Sequence, residues 1–404
     1  MGSHMKKILI ISQNFYPEIG SAANRTKFLF QKLSERNQVT LITTDPRYPN
    51  QNLYKQDDFW EEALDETRVI RVKPRTKKYA NNILKRFLFY LEVMLQFIRA
   101  IVGQGKDTDT VYISTPPISV GVAGLFAKRF LKARLIVEVR DLWPETLIGV
   151  KRWNNRFFLG FAYWLENKIY HQADEIVVNS EGFVDYIIAK GISKQKIHFI
   201  PNSLTEAEFE CSATQNRVND KETKTIIYTG NVGLAQEMDG FFELAARFKA
   251  NEAITFKIIG YGFKLQEIKQ RLQQYQLTNV TILPPQKRSQ VLQEIGKADV
   301  AYVTLVDHPI FEKVIPGKII DYMGMGVPII GNVSGYSSCV IEKANCGYTF
   351  QHNQIDEMYQ KVKELVENPE MAQRIGCNGY QYAYQHHRWQ QNFKKMEGII
   401  DCGK

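Results

Sequence analysis

No stretch of about 18 apolar residues free of charge occurs in this chain, so no segment is expected to cross a membrane as a helix. Cysteine is scarce. Cys211, Cys339, Cys346, Cys377 and Cys402 are odd in number, lie in the second half and include no C-x-x-C pair, which points to reduced structural thiols. The histidines show no metal-ligand spacing, and the neighbours His386 and His387 cannot share one face of a helix, so no structural metal is expected. The first strand is not followed by G-x-G-x-x-G. Asp45, near the end of the second strand, therefore lacks the glycine fingerprint of a dinucleotide site, and a dehydrogenase is disfavoured. Low-complexity tracts are also missing.

What remains is a globular composition: 404 residues, 44% hydrophobic and 24% charged, enough for two domains at roughly 100–200 residues each. The net charge of +9 calls for an anionic partner. Met1–Met5 reads as an expression-tag remnant and is set aside. Lys6-Lys7 and the apolar run after it stop at Ser12-Gln13-Asn14, too short for a secretion signal, so a cytosolic chain is expected.

Short β-branched runs alternate with amphipathic segments. Strands are expected at Lys7–Ser12, Val39–Thr43, Arg68–Val72, Thr110–Ile113, Arg134–Val139, Glu175–Asn179 and Ile197–Ile200, with a helix over Arg25–Arg36. After Pro201-Asn202-Ser203 a polar stretch to about Lys224 is the best linker candidate. The alternation restarts with strands at Thr225–Thr229, Phe256–Ile259, Val280–Leu283, Val300–Thr304 and Pro328–Gly331. Helices are expected over Glu237–Ala250, Lys318–Met325, Gln354–Asn368, Pro369–Tyr384 and Trp389–Asp401. This predicts an α/β protein of two Rossmann-like parallel-sheet domains, residues 6–200 and 201–384, with a closing segment 385–404. Ligands are expected in the cleft between the domains, at strand carboxyl ends.

Four segments carry chemistry. Small residues from Gly20 and Ser21 to Ala23 follow the first strand, where backbone N–H groups at a helix start suit an anion; an ordinary strand-to-helix turn is the alternative. Glu138-Val139-Arg140-Asp141-Leu142-Trp143-Pro144-Glu145 ends a strand on ionisable groups, with Asp141 and Glu145 as candidate proton acceptors; the alternative is a loop in which Arg140 pairs with Asp141. Pro316-Gly317-Lys318 opens a helix, and Asp321 lies one turn on, on the face of Lys318. The cation and helix N-terminus suit a diphosphate, and the carboxylate suits a ribose diol.

The fourth segment is basic. Lys73, Arg75, Lys77, Lys78, Lys85 and Arg86, with no acid among them, precede the apolar stretch Phe87-Leu88-Phe89-Tyr90-Leu91. Such a flank on an aromatic helix suits an anionic membrane surface, with Lys77, Lys78, Lys85, Arg86, Phe87 and Phe89 as docking residues; a core helix beside a solvated loop is the alternative. No nucleic-acid motif is interleaved, so no nucleic-acid partner is expected. Asp107-Thr108-Asp109 has D-x-D spacing but precedes its strand, so it reads as a solvated turn.

Together these pieces resemble the GT-B glycosyltransferases, family 4 of the retaining enzymes. The likeness is to bacterial capsule and O-antigen members that transfer N-acetylated, often 6-deoxy, hexosamines, the N-acetylfucosamine-transferase type. It rests on Ile-Ser-Gln-Asn-Phe-Tyr-Pro-Glu (11–18), Arg-Asp-Leu-Trp-Pro-Glu (140–145), Pro-Asn-Ser (201–203), Tyr-Thr-Gly-Asn-Val-Gly (228–233) and Pro-Gly-Lys-Ile-Ile-Asp-Tyr-Met (316–323). The resemblance implies a GT-B fold whose C-terminal helix crosses back to the first domain, and a UDP-sugar donor in the second domain. Asp321 would bind the ribose. Gly230, Asn231, Gly233, Pro316, Gly317 and Lys318 would face the diphosphate, and Pro285 and Gln286 would flank the base. Gly20 and Ser21 would approach the diphosphate from the first domain. Asp141, Glu145 and Lys318 would be the catalytic groups, and no metal or other cofactor would be needed.

Two motifs depart from the family pattern. In its E-x7-E pattern Asp321 replaces the second Glu, and Lys313 stands where the first would fall, with Glu312 one residue off. The basic pair expected near Gly230–Gln236 is absent, which leaves Lys318 as the main diphosphate cation. The resemblance implies transfer with retention through an oxocarbenium-like transition state, in which the leaving phosphate takes the acceptor proton and closure excludes water. It further implies a polyprenyl-diphosphate-linked saccharide acceptor and a cytoplasmic enzyme peripheral on the inner face of the cell membrane. The competing readings are a nucleotide-sugar epimerase or hydrolase of this fold and a catalytically silent nucleotide-binding protein.

Overall fold

The computed structural model describes residues 5–55, 57–60, 64–76, 83–150, 156–213 and 222–402. The chain divides into two compact units, Met1–Pro201 with Phe393–Lys404, and Asn202–Asn392.

In the first unit the elements are β1 (Lys7–Ser12), α1 (Ser21–Ser34), β2 (Gln38–Thr44), β3 (Val69–Val72), α2 (Ile83–Val102), β4 (Thr110–Thr115), α3 (Ile118–Leu131), β5 (Arg134–Val139), α4 (Glu145–Gly149), α5 (Arg156–Gln172), β6 (Glu175–Val178), α6 (Val184–Ile188) and β7 (Ile197–Phe199). The strands form one parallel sheet in the order β3-β2-β1-β4-β5-β6-β7. β1 and β5 are buried along nearly their whole length, as strands of a parallel sheet covered on both faces are. Strand order reverses between β1 and β4, the kind of switch point at which α/β sheets bind ligands.

The second unit repeats the plan. Its elements are α7 (Glu206–Ala213), β8 (Lys224–Asn231), α8 (Asp239–Arg247), β9 (Ile254–Tyr261), α9 (Leu265–Gln274), β10 (Val280–Leu283), α10 (Arg288–Gly296), β11 (Val300–Thr304), α11 (Gly317–Gly324), β12 (Ile329–Asn332), α12 (Gly335–Lys343), β13 (Gly347–Thr349), α13 (Ile355–Glu367) and α14 (Pro369–His386). The parallel order is β10-β9-β8-β11-β12-β13, with the reversal between β8 and β11. Tyr228, Phe241, Phe256 and Tyr302 fill the space behind β8 and β11, with Phe241 edge-on to Phe256 at 5.3 Å.

The last helix, α15 (Trp389–Asp401), starts in the second unit, and from Phe393 it belongs to the first. Its end is held by cations, as a helix C-terminus favours: Lys6 Nζ donates to the carbonyls of Ile400 (2.8 Å) and Asp401 (3.2 Å), and Arg134 to that of Ile399. Phe393 meets Phe28 of α1 edge-on at 5.8 Å.

The alternating plan is as the sequence predicts, but α3, α5, α9, α10, α12 and β13 are elements that its patterning did not mark, and two segments differ from expectation. α1 begins at Ser21 rather than Arg25, because Gly20 turns the chain at φ +123° and Ser21-Ala22-Ala23 enter the helix. The expected linker contains α7, nucleated by a capping box in which Thr205 N–H donates to Glu208 Oε2 at 2.8 Å and Glu208 N–H to Thr205 Oγ1 at 3.3 Å; residues 214–221 of that stretch lie outside the described residues. The chain rejoins the first unit at Phe393, inside α15 and within the closing segment 385–404.

Candidate functional site

In the second unit the predicted donor residues gather at the carboxyl end of the sheet. β8 ends in Gly230-Asn231, paired with Gly260-Tyr261 of β9. The Tyr228 hydroxyl donates to the Asn231 carbonyl (2.7 Å) and Gly233 N–H to Gln236 Oε1 (2.9 Å), which fixes the turn. A Cβ at Gly262 would lie 2.2 Å from Asn231 Oδ1, and φ there is +129°, so only glycine lets β9 turn away so close to that amide.

α11 delivers Lys318 and Asp321. Its depth is set by Tyr322, whose buried hydroxyl accepts Thr229 N–H (3.0 Å) and donates to the Tyr302 carbonyl (3.2 Å), tying the helix to β8 and β11. Pro316 precedes the helix and Gly317 opens it. Lys318 Nζ stands 3.6 Å over the Tyr228 ring. A Cβ on Gly230 would come within 3.9 Å of that nitrogen, so the ammonium lies beside the bare Gly230 backbone. Nζ is shielded from water and has no hydrogen-bond partner. Burial pushes its pKa well below 10.5, against the opposing pull of Asp321. A buried ammonium at a helix N-terminus is chemically suited to an anion.

Asp321 is not alone. The guanidinium of Arg288, the first residue of α10, reaches it at 2.9 and 3.3 Å, and also pairs with Glu208 of α7. Burial works against the Arg288 charge, but the two carboxylates outweigh it and raise its pKa. Lys318 is therefore joined by a second cation that the sequence reading did not single out. Pro285 and Gln286 lie on the loop between β10 and α10, and the Gln286 Oε1 is buried without a hydrogen-bond partner. Donors, acceptors and cations of this kind suit a nucleoside diphosphate.

In the first unit Asp141 follows β5 and Glu145 opens α4. Asp141 is partly buried, and burial raises its carboxyl to about 6 although the Leu142 N–H, Arg140 and Thr146 stabilise the anion. Glu145 accepts the Tyr163 hydroxyl at 2.9 Å. Arg140 does not pair with Asp141. It turns back to donate to Ser114 Oγ (2.7 Å) and the Pro116 carbonyl (3.1 Å), drawn by the buried Glu138. Glu138 also takes Arg25 Nε (2.5 Å), the Tyr112 hydroxyl (2.7 Å) and Ser114 Oγ (2.5 Å), and the two arginines with these hydroxyls hold it ionised despite its burial. One acid inside the apolar strand Arg134–Val139 was the available signal for this centre. Gly20 and Ser21 sit at the start of α1, where the helix has no side-chain cap and no acid in its first turn. Asp107 and Asp109 instead hold Lys7, at the foot of β1.

Of the expected docking residues, Lys77 and Lys78 lie outside the described residues, and Lys85 and Arg86 are on α2 with undescribed side chains. Phe87 is exposed, but Phe89 is buried and cannot dock. It belongs to the inner face of α2 with Val93, Phe97 and Ile101, at four-residue spacing, while Phe87, Leu88, Leu91, Leu95 and Val102 face outward. Among the described residues no helix is long and apolar enough to cross a membrane.

Residues 22–203 match the glycosyl transferase 4-like domain, and residues 212–382 match the glycosyl transferases group 1 domain. A protein of Escherichia coli (strain K12) described as a colanic acid biosynthesis glycosyl transferase, WcaI, is 22% identical over 345 residues, 82% of this chain and 84% of its own. Among solved structures, the sucrose-phosphate synthase of Thermosynechococcus elongatus superposes with a TM-score of 0.74 at 15% identity, covering 98% of both chains. Anabaena Alr3699/HepE in complex with UDP and glucose gives 0.72 at 14% identity, covering 99% of this chain and all of that one. With two parallel-sheet units and both domain types in sequence, the chain belongs to the GT-B glycosyltransferases of the family 4 and group 1 kind.

Proposed function

We propose that this enzyme moves an N-acetylated hexosamine or 6-deoxyhexosamine from a UDP-sugar to a polyprenyl-diphosphate-linked saccharide, with retention, in the building of a bacterial surface polysaccharide. The observation that carries the reading is the buried Lys318 ammonium, without a hydrogen-bond partner beside Gly230 at the start of α11. It is suited to the donor diphosphate, with Gly230, Asn231, Gly233, Pro316 and Gly317 presenting backbone to the same group. Asp321, steadied by Arg288, takes the ribose hydroxyls, and Pro285 and Gln286 flank the base. Gly20 and Ser21 offer the α1 amides. A relative described as a colanic acid glycosyl transferase and a structural neighbour that holds UDP and glucose both favour this donor and pathway class.

As the glycosidic bond breaks, negative charge grows on the departing diphosphate. Lys318 and the α11 amides stabilise it without reorganising, which lets the reaction run without a metal. Asp141 and Glu145 orient or deprotonate the acceptor hydroxyl, together with the leaving phosphate. The outward apolar residues of α2 favour work at the inner face of a membrane.

A panel of UDP-sugars with a lipid-diphosphate acceptor tests this directly. UDP release matched by glycolipid of unchanged anomeric configuration, with and without chelator, is expected. Donor binding with no turnover across the panel overturns the transferase assignment to these substrates.

A further inference from the structure

α5 carries a second apolar surface that the donor and acceptor residues leave unexplained. Phe157, Phe161 and Trp164 are 92%, 60% and 53% exposed, far beyond what large aromatics ordinarily show, and Gly160 between them faces open space. With Arg156 and Lys168, also exposed, they form one stripe at helical spacing. The Phe161 and Trp164 rings stack at 5.7 Å, and Lys168 Nζ lies 4.9 Å over the indole.

The charge of the stripe has one sign. The only acid of α5, Glu166, is buried on the opposite face, where it pairs with Lys190 at 2.7 Å and takes the Tyr186 hydroxyl at 3.2 Å. The outer face therefore shows aromatic rings between cations, the arrangement that sits well at a headgroup boundary: rings at the acyl edge, cationic heads reaching phosphates. α3 packs against both α2 and α5. A Cβ at Gly121 of α3 would fall 2.4 Å from Ile169 Cδ1, so a missing side chain lets α5 lie close against it.

The inner face of α5 supports the acceptor-side loop. Phe158 meets Trp143 edge-on at 6.4 Å, and the Tyr163 hydroxyl holds Glu145. From this we infer that the Phe157–Phe161–Trp164 stripe is a second bilayer contact, separate from α2, that seats α5 on an anionic lipid surface and so sets the Asp141–Glu145 loop at headgroup level. The inference rests on the proposed membrane association and adds to it a contact surface and an orientation.

The test uses the full chain and flotation with vesicles of phosphatidylethanolamine and phosphatidylglycerol. Phe157→Ser/Phe161→Ser should lower partition at least about tenfold while calorimetric UDP affinity stays at the wild-type level. In the otherwise unchanged chain, lipids brominated on their acyl chains should quench an indole signal that is lost in Trp164→Phe. Full flotation of the double variant, with quenching unaltered in Trp164→Phe, overturns the α5 contact. If Leu91→Ser/Leu95→Ser abolishes flotation in that same experiment, the α2 contact stands without it. A wild-type chain that does not float overturns both. A change from dimer to monomer in the double variant with flotation intact marks the stripe as a self-association surface and also overturns the inference.

Discussion

Arg288 grips the Asp321 carboxylate with two guanidinium nitrogens, at 2.9 and 3.3 Å, and is itself anchored by Glu208. If that carboxylate receives the ribose, the arginine fixes its direction beforehand. Asp321→Ala should weaken UDP binding about ten- to a hundredfold, the worth of hydrogen bonds to a charged group. Arg288→Met should weaken it by a smaller factor, and the double variant by less than the product of the two. Calorimetric titration of the four proteins reads the coupling; strict multiplicativity removes Arg288 from the ribose site.

Lys318→Met separates binding from folding. The ammonium makes no hydrogen bond and its pKa is depressed by burial, so charging it costs the folded state free energy. That cost is absent above 10.5 and grows as pH falls from there toward the depressed folded value. The variant should be as stable as the wild type or more stable by about 1–2 kcal/mol at neutral pH, yet bind UDP far more weakly. At pH 9, UDP binding by the wild type should take up a proton, seen as a heat that varies with buffer ionisation enthalpy and vanishes in the variant.

Asp141 is raised from 3.8 to about 6 by burial. A proton acceptor with that pKa gives kcat/KM an acid limb near pH 6, with activity lost below it. Asp141→Asn should remove the limb and lower the plateau by roughly 10²–10⁴. Because the folded state holds the proton more tightly than the unfolded chain, stability falls as pH rises from about 4 to 6, and the Asn variant should unfold later than the wild type at pH 7. A limb that persists unchanged in the variant belongs to another group.

Glu138→Gln leaves buried Arg25 and half-buried Arg140 with no carboxylate between them. A loss of about 3–5 kcal/mol in chemical denaturation is expected, the cost of stranding a buried charge. Glu145→Gln, at a partly exposed hydroxyl contact, should lose under about 1.5 kcal/mol.

Phe89 and Phe87 stand two residues apart on α2 and should behave as opposites. Phe89→Ala opens a cavity in the core and should lose about 3–5 kcal/mol of stability. Phe87→Ala should leave the melting temperature alone and reduce vesicle flotation.

The periodicity made most of the fold readable. β1, β5, β10, β11 and α15 fall at their expected bounds, because buried parallel strands and strongly amphipathic helices are written as unbroken or regularly spaced apolar runs. Elements whose pattern is weak were not legible: α5 carries apolar residues on every side, and α7 is short and acidic, although Thr205 and Glu208 spelled its cap. The candidate site was legible in part. Lys318 and Asp321 announce themselves at a helix start, but Arg288 is brought to Asp321 from another helix across 33 positions of sequence, a pairing only the fold creates. The reverse orientation of Phe87 and Phe89 was likewise hidden, since both are aromatic and only burial in the folded unit distinguishes them.

The first unit is discontinuous in sequence, completed by residues from Phe393 onward, whereas the second is one uninterrupted segment, Asn202–Asn392. On the ribosome the order of synthesis is therefore not the order of completion. The sheet containing β1 is made first but cannot dock Phe28 against Phe393, or place Lys6 and Arg134 on the α15 carbonyls, until the segment from Phe393 onward has emerged. The later-made unit can mature while the earlier one waits, so a stop codon just before Phe393 injures the unit made first rather than the one it follows.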